Sequence, residues 1–157
     1  MALHHRQRSV STHYPKGRGQ VIDVALYEAV FNCMESLLPE YSAFGAVRQP
    51  AGSALPGIAP SNAYPCVDGM VVIGGNGDSI FKRLMIAIGR DDLATDPQLT
   101  RNPGRVARVA EIDAAIGLWT QARRVEQVLA VLNAASVPVG RLYTAADIAA
   151  DPHYAAR

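Results

Sequence analysis

The sequence has no long apolar run, no surplus of one charge and almost no cysteine, and each absence removes a class of function. No stretch approaches the roughly 20 consecutive apolar residues that a membrane-spanning helix requires. A net charge of +1, from 15 basic and 14 acidic residues, leaves no field to draw in nucleic acid or an anionic membrane. Residues 1–18 are basic and carry histidines, but they lack the apolar core of a secretory signal. The two cysteines, Cys33 and Cys66, stand outside any C-x-x-C pair and read as small buried hydrophobes kept reduced in a cytoplasm. His4, His5, His13 and His153 have no spacing matched to cysteine or acid, so no metal site is expected. Internal repeats are missing as well.

What is present is the composition of a globular domain. Of 157 residues, 49% are hydrophobic and 18% charged, enough for one domain with its own core. Residues 20–38 are apolar around most of a helical circumference, including Val24, Val30, Phe31, Met34 and Leu38. Such a helix needs cover on most sides, and a second copy of the chain is the expected cover. Residues 39–63 form a loop rich in glycine, proline, serine and alanine, of a length that marks functional loops or linkers. Tyr64 to Val67 and Met70 to Gly74 read as strands joined at Asp68-Gly69, a type I′ hairpin signal. Pro65, unable to donate to a ladder, belongs on an edge or at a strand's start. An amphipathic helix follows, with Ile80, Phe81, Leu84, Met85 and Ile88 on one face and Gly89 as its stop. Helices are expected at 106–121 and 125–135, then a short strand within 138–143. Thr144 and Asp147 open a last short helix as a capping box. The fold class is α+β and helix-rich: a short antiparallel sheet (hairpin 64–74 plus a strand near 139–143) with a long N-terminal helix.

Reactive candidates each have a structural account beside the chemical one. Asp23 suits a helix start, Asp68 a turn and Asp78 a helix cap, so no acid is assigned as a nucleophile. The run Gly74-Gly75-Asn76-Gly77-Asp78-Ser79 joins a strand to a helix, where backbone amides can cradle phosphate. It lacks the Gly-Lys-Ser/Thr ending of a P-loop and the last glycine of G-x-G-x-x-G, which favours a capped turn. Arg101, Arg105 and Arg108 cluster near Asp91, Asp92 and Asp96, suited to phosphate or to solvated ion pairs. Trp119 is most simply core, with Ile112, Ile116 and Leu129.

The run Gly19-Gln20-x-x-Asp23-Val24-x-Leu26-x-Glu28-Ala29 is followed by Pro60, Tyr64, Asp68-Gly69, then Asn76 and Asp78 before Phe81-x-x-Leu84. Gly89-x-x-x-Leu93, Asp96-Pro97, Arg105, Leu132, Val137-Pro138, Asp151-Pro152 and Arg157 complete the series. In this order the residues resemble the family III CoA-transferases, which move CoA between carboxylic acids and are related to 2-methylacyl-CoA racemases. The resemblance implies a basic segment at 1–19, a linker helix at 20–38, a loop at 39–63 and the small α+β domain at 64–157. The family's Rossmann-type half, with the catalytic aspartate and most of the CoA surface, would lie before Met1, and its final segment after Arg157.

No catalytic residue and no turnover by the chain alone are therefore expected, and whether it is an enzyme stays open. Where some members carry a glycine-rich loop over the active site, this sequence has Gly52-Ser53-Ala54-Leu55-Pro56-Gly57. Gly52, Gly57, Arg101 and Arg105 are the candidate contacts to CoA, which would be ligand or substrate; no resident cofactor is required. The expected partners are a second copy through helix 20–38 or a separate large-domain chain, with neither nucleic acid nor membrane, in the cytoplasm. Two alternatives stand beside the inactive small domain: a CoA-binding or acyl-CoA-binding module, and one half of a split enzyme.

Overall fold

The computed structural model describes residues 25–34 and 36–156. The basic segment 1–19 and the start of the expected helix 20–38 lie outside them. The chain divides into two units, Met1–Gln49 and Pro50–Arg157.

In the first unit the long helix expected over 20–38 is not clearly formed. Among the described residues there are two short helices, α1 (Leu26–Asn32) and α2 (Leu37–Phe44), and the chain leaves helical geometry between them. Pro39 explains the break and the new start. A proline ring collides with the carbonyl four residues earlier and brings no N–H, which kinks or breaks a helix that would run on from α1. In the first turn of a new helix its missing N–H costs nothing, and Pro39 sits in the first turn of α2. Helix thus occupies the front of the expected loop 39–63. Neither helix has a buried residue: Leu26, Tyr27, Val30, Phe31 and Met34 line an open apolar hollow of about 740 Å³. A polar tie closes the unit. Glu40 accepts from Arg48 Nε at 2.7 Å and from Ser36 Oγ at 2.6 Å, and these partners, Arg48 foremost, hold its carboxyl down to about 2.

The second unit is built on a three-stranded antiparallel sheet, β1 (Ser61–Cys66), β2 (Gly69–Gly74) and β3 (Val139–Arg141), in the order β1-β2-β3. Tyr64 faces Val71, and Val71 faces Arg141. Pro65 lies on β1, an edge strand, where a missing donor is tolerated. Because Cys66 pairs with Gly69, the two-residue turn is Val67-Asp68, one position earlier than the hairpin signal suggested. Among the described residues the sole non-glycine with left-handed φ is Ser136, so Asp68 does not adopt the I′ conformation. Tertiary bonds decide the turn instead. Asp68 accepts the Val125 N–H at 2.8 Å and Arg124 Nε at 3.0 Å, while Val67 N–H reaches the Arg123 carbonyl at 2.9 Å. The Val125 amide is the main reason the Asp68 carboxyl sits below the usual carboxylate range.

Helices α3 (Asp78–Ala87), α4 (Asp91–Thr95), α5 (Asn102–Ala107), α6 (Val109–Gln121) and α7 (Val125–Ala134) follow β2, with a 3-10 turn at Pro97–Leu99. The expected helix 106–121 is two helices, broken at Arg108. Two short helices, α8 (Ala145–Ala150) and α9 (Pro152–Ala155), end the described chain. The capping box forms: Thr144 N–H donates to Asp147 Oδ2 at 2.8 Å, and Asp147 N–H returns to Thr144 Oγ1 at 3.2 Å.

Helix α6 packs on β1, α7 on β2 and β3, and α3 on α4 and α7. The core between them takes Tyr64, Val71 and Ile73 from the sheet and Phe81, Leu84 and Met85 from α3. Ile112, Ile116, Val128 and Leu132 complete it from the other helices, all of them closed to solvent. Each large aliphatic side chain buried this way contributes about 1.5–3 kcal/mol.

Candidate functional site

Of the four candidate contacts, Gly52 and Gly57 lie in a surface loop, Arg101 just before α5 and Arg105 in its last turn. Gly52 and Gly57 have φ of +63° and +81°, and a Cβ added at either would meet nothing within 4 Å. Glycine is therefore required there by backbone conformation and not by crowding. The loop is ordered by its own bonds: Leu55 N–H donates to the Ser61 carbonyl at 3.1 Å and Ile58 N–H to the Leu55 carbonyl at 3.3 Å. At its front, Ser53 Oγ donates to Asn62 Oδ1 at 2.7 Å. Asn62 in turn donates to Asp113 of α6 at 3.0 Å, and the Tyr64 hydroxyl donates to the same carboxylate at 2.6 Å. Burial first, and Asp113 second, push the Tyr64 phenol above its ordinary range, so it stays a donor.

Arg105 occupies a place that sequence alone does not suggest. It is fully buried, with its guanidinium 5.1 Å from the centre of the Phe81 ring. Its Nε donates to the Ala59 carbonyl at 3.0 Å. Nη1 donates to the Leu99 and Thr100 carbonyls at 3.1 and 3.2 Å. Nη2 donates to the Asn76 carbonyl at 2.7 Å and to Asp78 Oδ1 at 2.8 Å. Five N–H groups meet five acceptors, which is what a buried guanidinium needs and leaves none for a ligand. Arg105 joins the loop's exit, the 3-10 turn and the β2–α3 turn.

Arg101 is the opposite case. It is 82% exposed and reaches Asp78 Oδ2 at 2.9 Å. With Lys82, Thr100, Phe81, Leu99 and Ala94 it lines a cleft of about 360 Å³. Asp78 begins α3 but makes no backbone cap there; its carboxylate is held by two arginines instead. Arg105 first, and Arg101 after it, keep the Asp78 carboxyl below the usual carboxylate range. One carboxylate shared by two guanidiniums, with Lys82 beside them, leaves the cleft net positive. Arg108 pairs elsewhere, with Asp96 at 2.5 Å and with Glu111 at 2.8 Å.

Asn102 connects the loop to the arginines, and sequence reasoning passed over it as part of a turn. Its Oδ1 accepts the Ala59 N–H at 3.1 Å, and its Nδ2 donates to the Gly57 carbonyl at 2.9 Å. The Asn102-Pro103 pair carried a usable signal, since proline at a first helical turn marks a helix start just before it. Gly57, Arg101 and Arg105 thus converge on one turn of α5, while Gly52 is tied through Ser53 to α6. No group of three or more His, Cys, Asp or Glu able to hold a metal ion occurs among the described residues. No helix among them is long and apolar enough to cross a membrane.

This small α+β fold has a close match in the crystal structure of a CAIB/BAIF family protein from Brucella suis. The TM-score is 0.69 at 33% identity, over 90% of this chain and 37% of that one. The sequence model of CoA-transferase family III matches residues 1–157, and the chain belongs to that family. It is similar to the succinyl-CoA–D-citramalate CoA-transferase of Chloroflexus aurantiacus, with 44% identity over 158 residues. The beta subunit of the succinyl-CoA–L-malate CoA-transferase of the same organism is 33% identical over 159 residues. Both alignments take in 100% of this chain and 38% of the relative, so the chain spans well under half the length of the relatives it matches.

Proposed function

We propose that this chain is the small domain of a family III CoA-transferase, contributing loop 52–57 and Arg101 to a CoA site and turning over nothing by itself. The observation that carries the reading is the family match from the first residue to the last, over little more than a third of each relative's length. The parent reaction would pass CoA from an acyl-CoA to a carboxylic acid. That chemistry needs no resident metal or cofactor, since CoA itself is the substrate.

The geometry supports a division of labour among the four candidates. Gly52 and Gly57 shape an exposed loop, Arg101 offers a solvent-facing cation, and Arg105 supports both from beneath. Cys33 is exposed and Cys66 half-buried, so neither is the buried hydrophobe expected, and two free thiols suit a reducing compartment. Calorimetric titration with CoA, first at low salt and then at physiological salt, tests the site. Micromolar binding that persists in salt and weakens in Arg101→Ala is the expected result. No heat at millimolar CoA would discard the site on this chain and leave the domain's role to the rest of the parent enzyme.

A second reading is an enzyme completed by another chain: relatives are named as alpha and beta subunits of one CoA-transferase, although each matches all of this chain over 38% and 35% of its own length. Activity appearing only on mixing with a large-domain chain would select it. The apolar hollow on α1 supports association of some kind, and we take a second copy as its cover.

A further inference from the structure

Loop 50–58 is mostly exposed, but its exit is not. Ala59 is 1% exposed, and its N–H and carbonyl are both taken by α5, through Asn102 and Arg105. The Gly57 carbonyl is taken by Asn102 as well. These partners lie 43 to 46 positions along the chain, so the loop's exit is set by α5, where the bonds within the loop do not reach. Asn102 uses its amide as a strand would use a peptide group, one acceptor and one donor to a single stretch of backbone. Arg105 binds the 3-10 turn and the β2–α3 turn as well as Ala59 and holds the fold together there. The Asn102 side chain makes these two bonds and lies outside the hydrophobic core.

We propose that Asn102 is a positioning residue for the loop: it fixes the exit at Gly57 and Ala59, and thereby where Gly52 to Pro56 stand, without contributing to the core. Its consequence for CoA rests on the reading given above; its effect on the loop does not. Removing the amide frees two backbone groups at one hinge, and the loop then samples other positions while α6 and α7 keep their packing.

Amide exchange followed by NMR on the intact chain decides the matter. In Asn102→Ala the Ala59, Ile58 and Leu55 amides should exchange at least tenfold faster, with Ile112, Ile116, Val128 and Leu132 unchanged. Asn102→Asp keeps the acceptor and loses the donor, so it should restore protection at Ala59 while leaving the Gly57 side released. Unchanged loop exchange in Asn102→Ala would overturn the proposal. Equal acceleration in loop and core would overturn it too, because Asn102 would then be holding the whole unit. CoA titration of the same variants is read separately. Absence of CoA binding by the parent chain would sink the CoA site alone, and the exchange data would still decide the role of Asn102.

Discussion

Gly104 shows how a single missing methyl can outweigh helix propensity. It lies inside α5, where alanine would ordinarily gain about 0.5–1 kcal/mol over glycine. A Cβ there would stand 1.7 Å from the Gln98 carbonyl oxygen, a backbone atom that cannot swing aside. The steric effect wins, and Gly104→Ala should cost about 3 kcal/mol in urea unfolding, with α5 displaced from the 3-10 turn. Asp78 gives a second prediction at this scale. Its two arginines depress its carboxyl in the folded chain, so the stabilisation is complete above the ordinary carboxylate pKa and is lost as pH falls through the lowered folded value. Urea midpoints should therefore fall on acidification more steeply for the parent than for Asp78→Asn; parallel curves would show that the pairs contribute nothing measurable. Arg105 was the residue least legible from sequence. An arginine among turns is ordinarily solvated, and only the meeting of acceptors from two distant segments with those of the neighbouring 3-10 turn makes burial favourable.

Among the elements, those with a strong local period were readable. The face of α3 carrying Phe81, Leu84 and Met85, the Thr144–Asp147 box and the sheet's hairpin all follow from spacing. What could not be read was set by partners far along the chain. The hairpin turn shifts because the start of α7 claims Asp68. The order of loop 50–58 comes from α5 and α6, so a stretch rich in glycine and proline gave no sign of it. The break between α1 and α2 was nearer the surface of the sequence, since Pro39 announces it. Helix faces also separate two leucines of similar composition but different consequence. Leu132 of α7 is fully buried and Leu118 of α6 is 74% exposed. Leu132→Ala should cost about 2–5 kcal/mol, whereas Leu118→Ala should stay within about 0.5 kcal/mol. Thermal melts of the pair check whether α7 is seated as described.

At the scale of the molecule, the two units differ in how completely they hide their apolar residues. The second has a closed core, while the described helices of the first expose Tyr27, Val30 and Phe31 to solvent. If a second copy covers them, sedimentation should show a dimer at micromolar concentration that dissociates in Phe31→Glu; a monomer throughout would leave the large domain of the enzyme as the cover. Assembly through the sheet is another matter. Strand β1 ends the sheet; Leu55 takes the Ser61 carbonyl and Asn62 the Ala63 N–H on its outer edge, and the remainder of that edge is a template on which a further chain can stack. Pro65 interrupts that template, because it brings no hydrogen to share with an incoming strand. Pro65→Val would put an N–H back on that edge, and concentrated solutions of the variant should cloud on warming sooner than those of the parent. The proline at the sheet's rim thus works against fibre growth along that one edge.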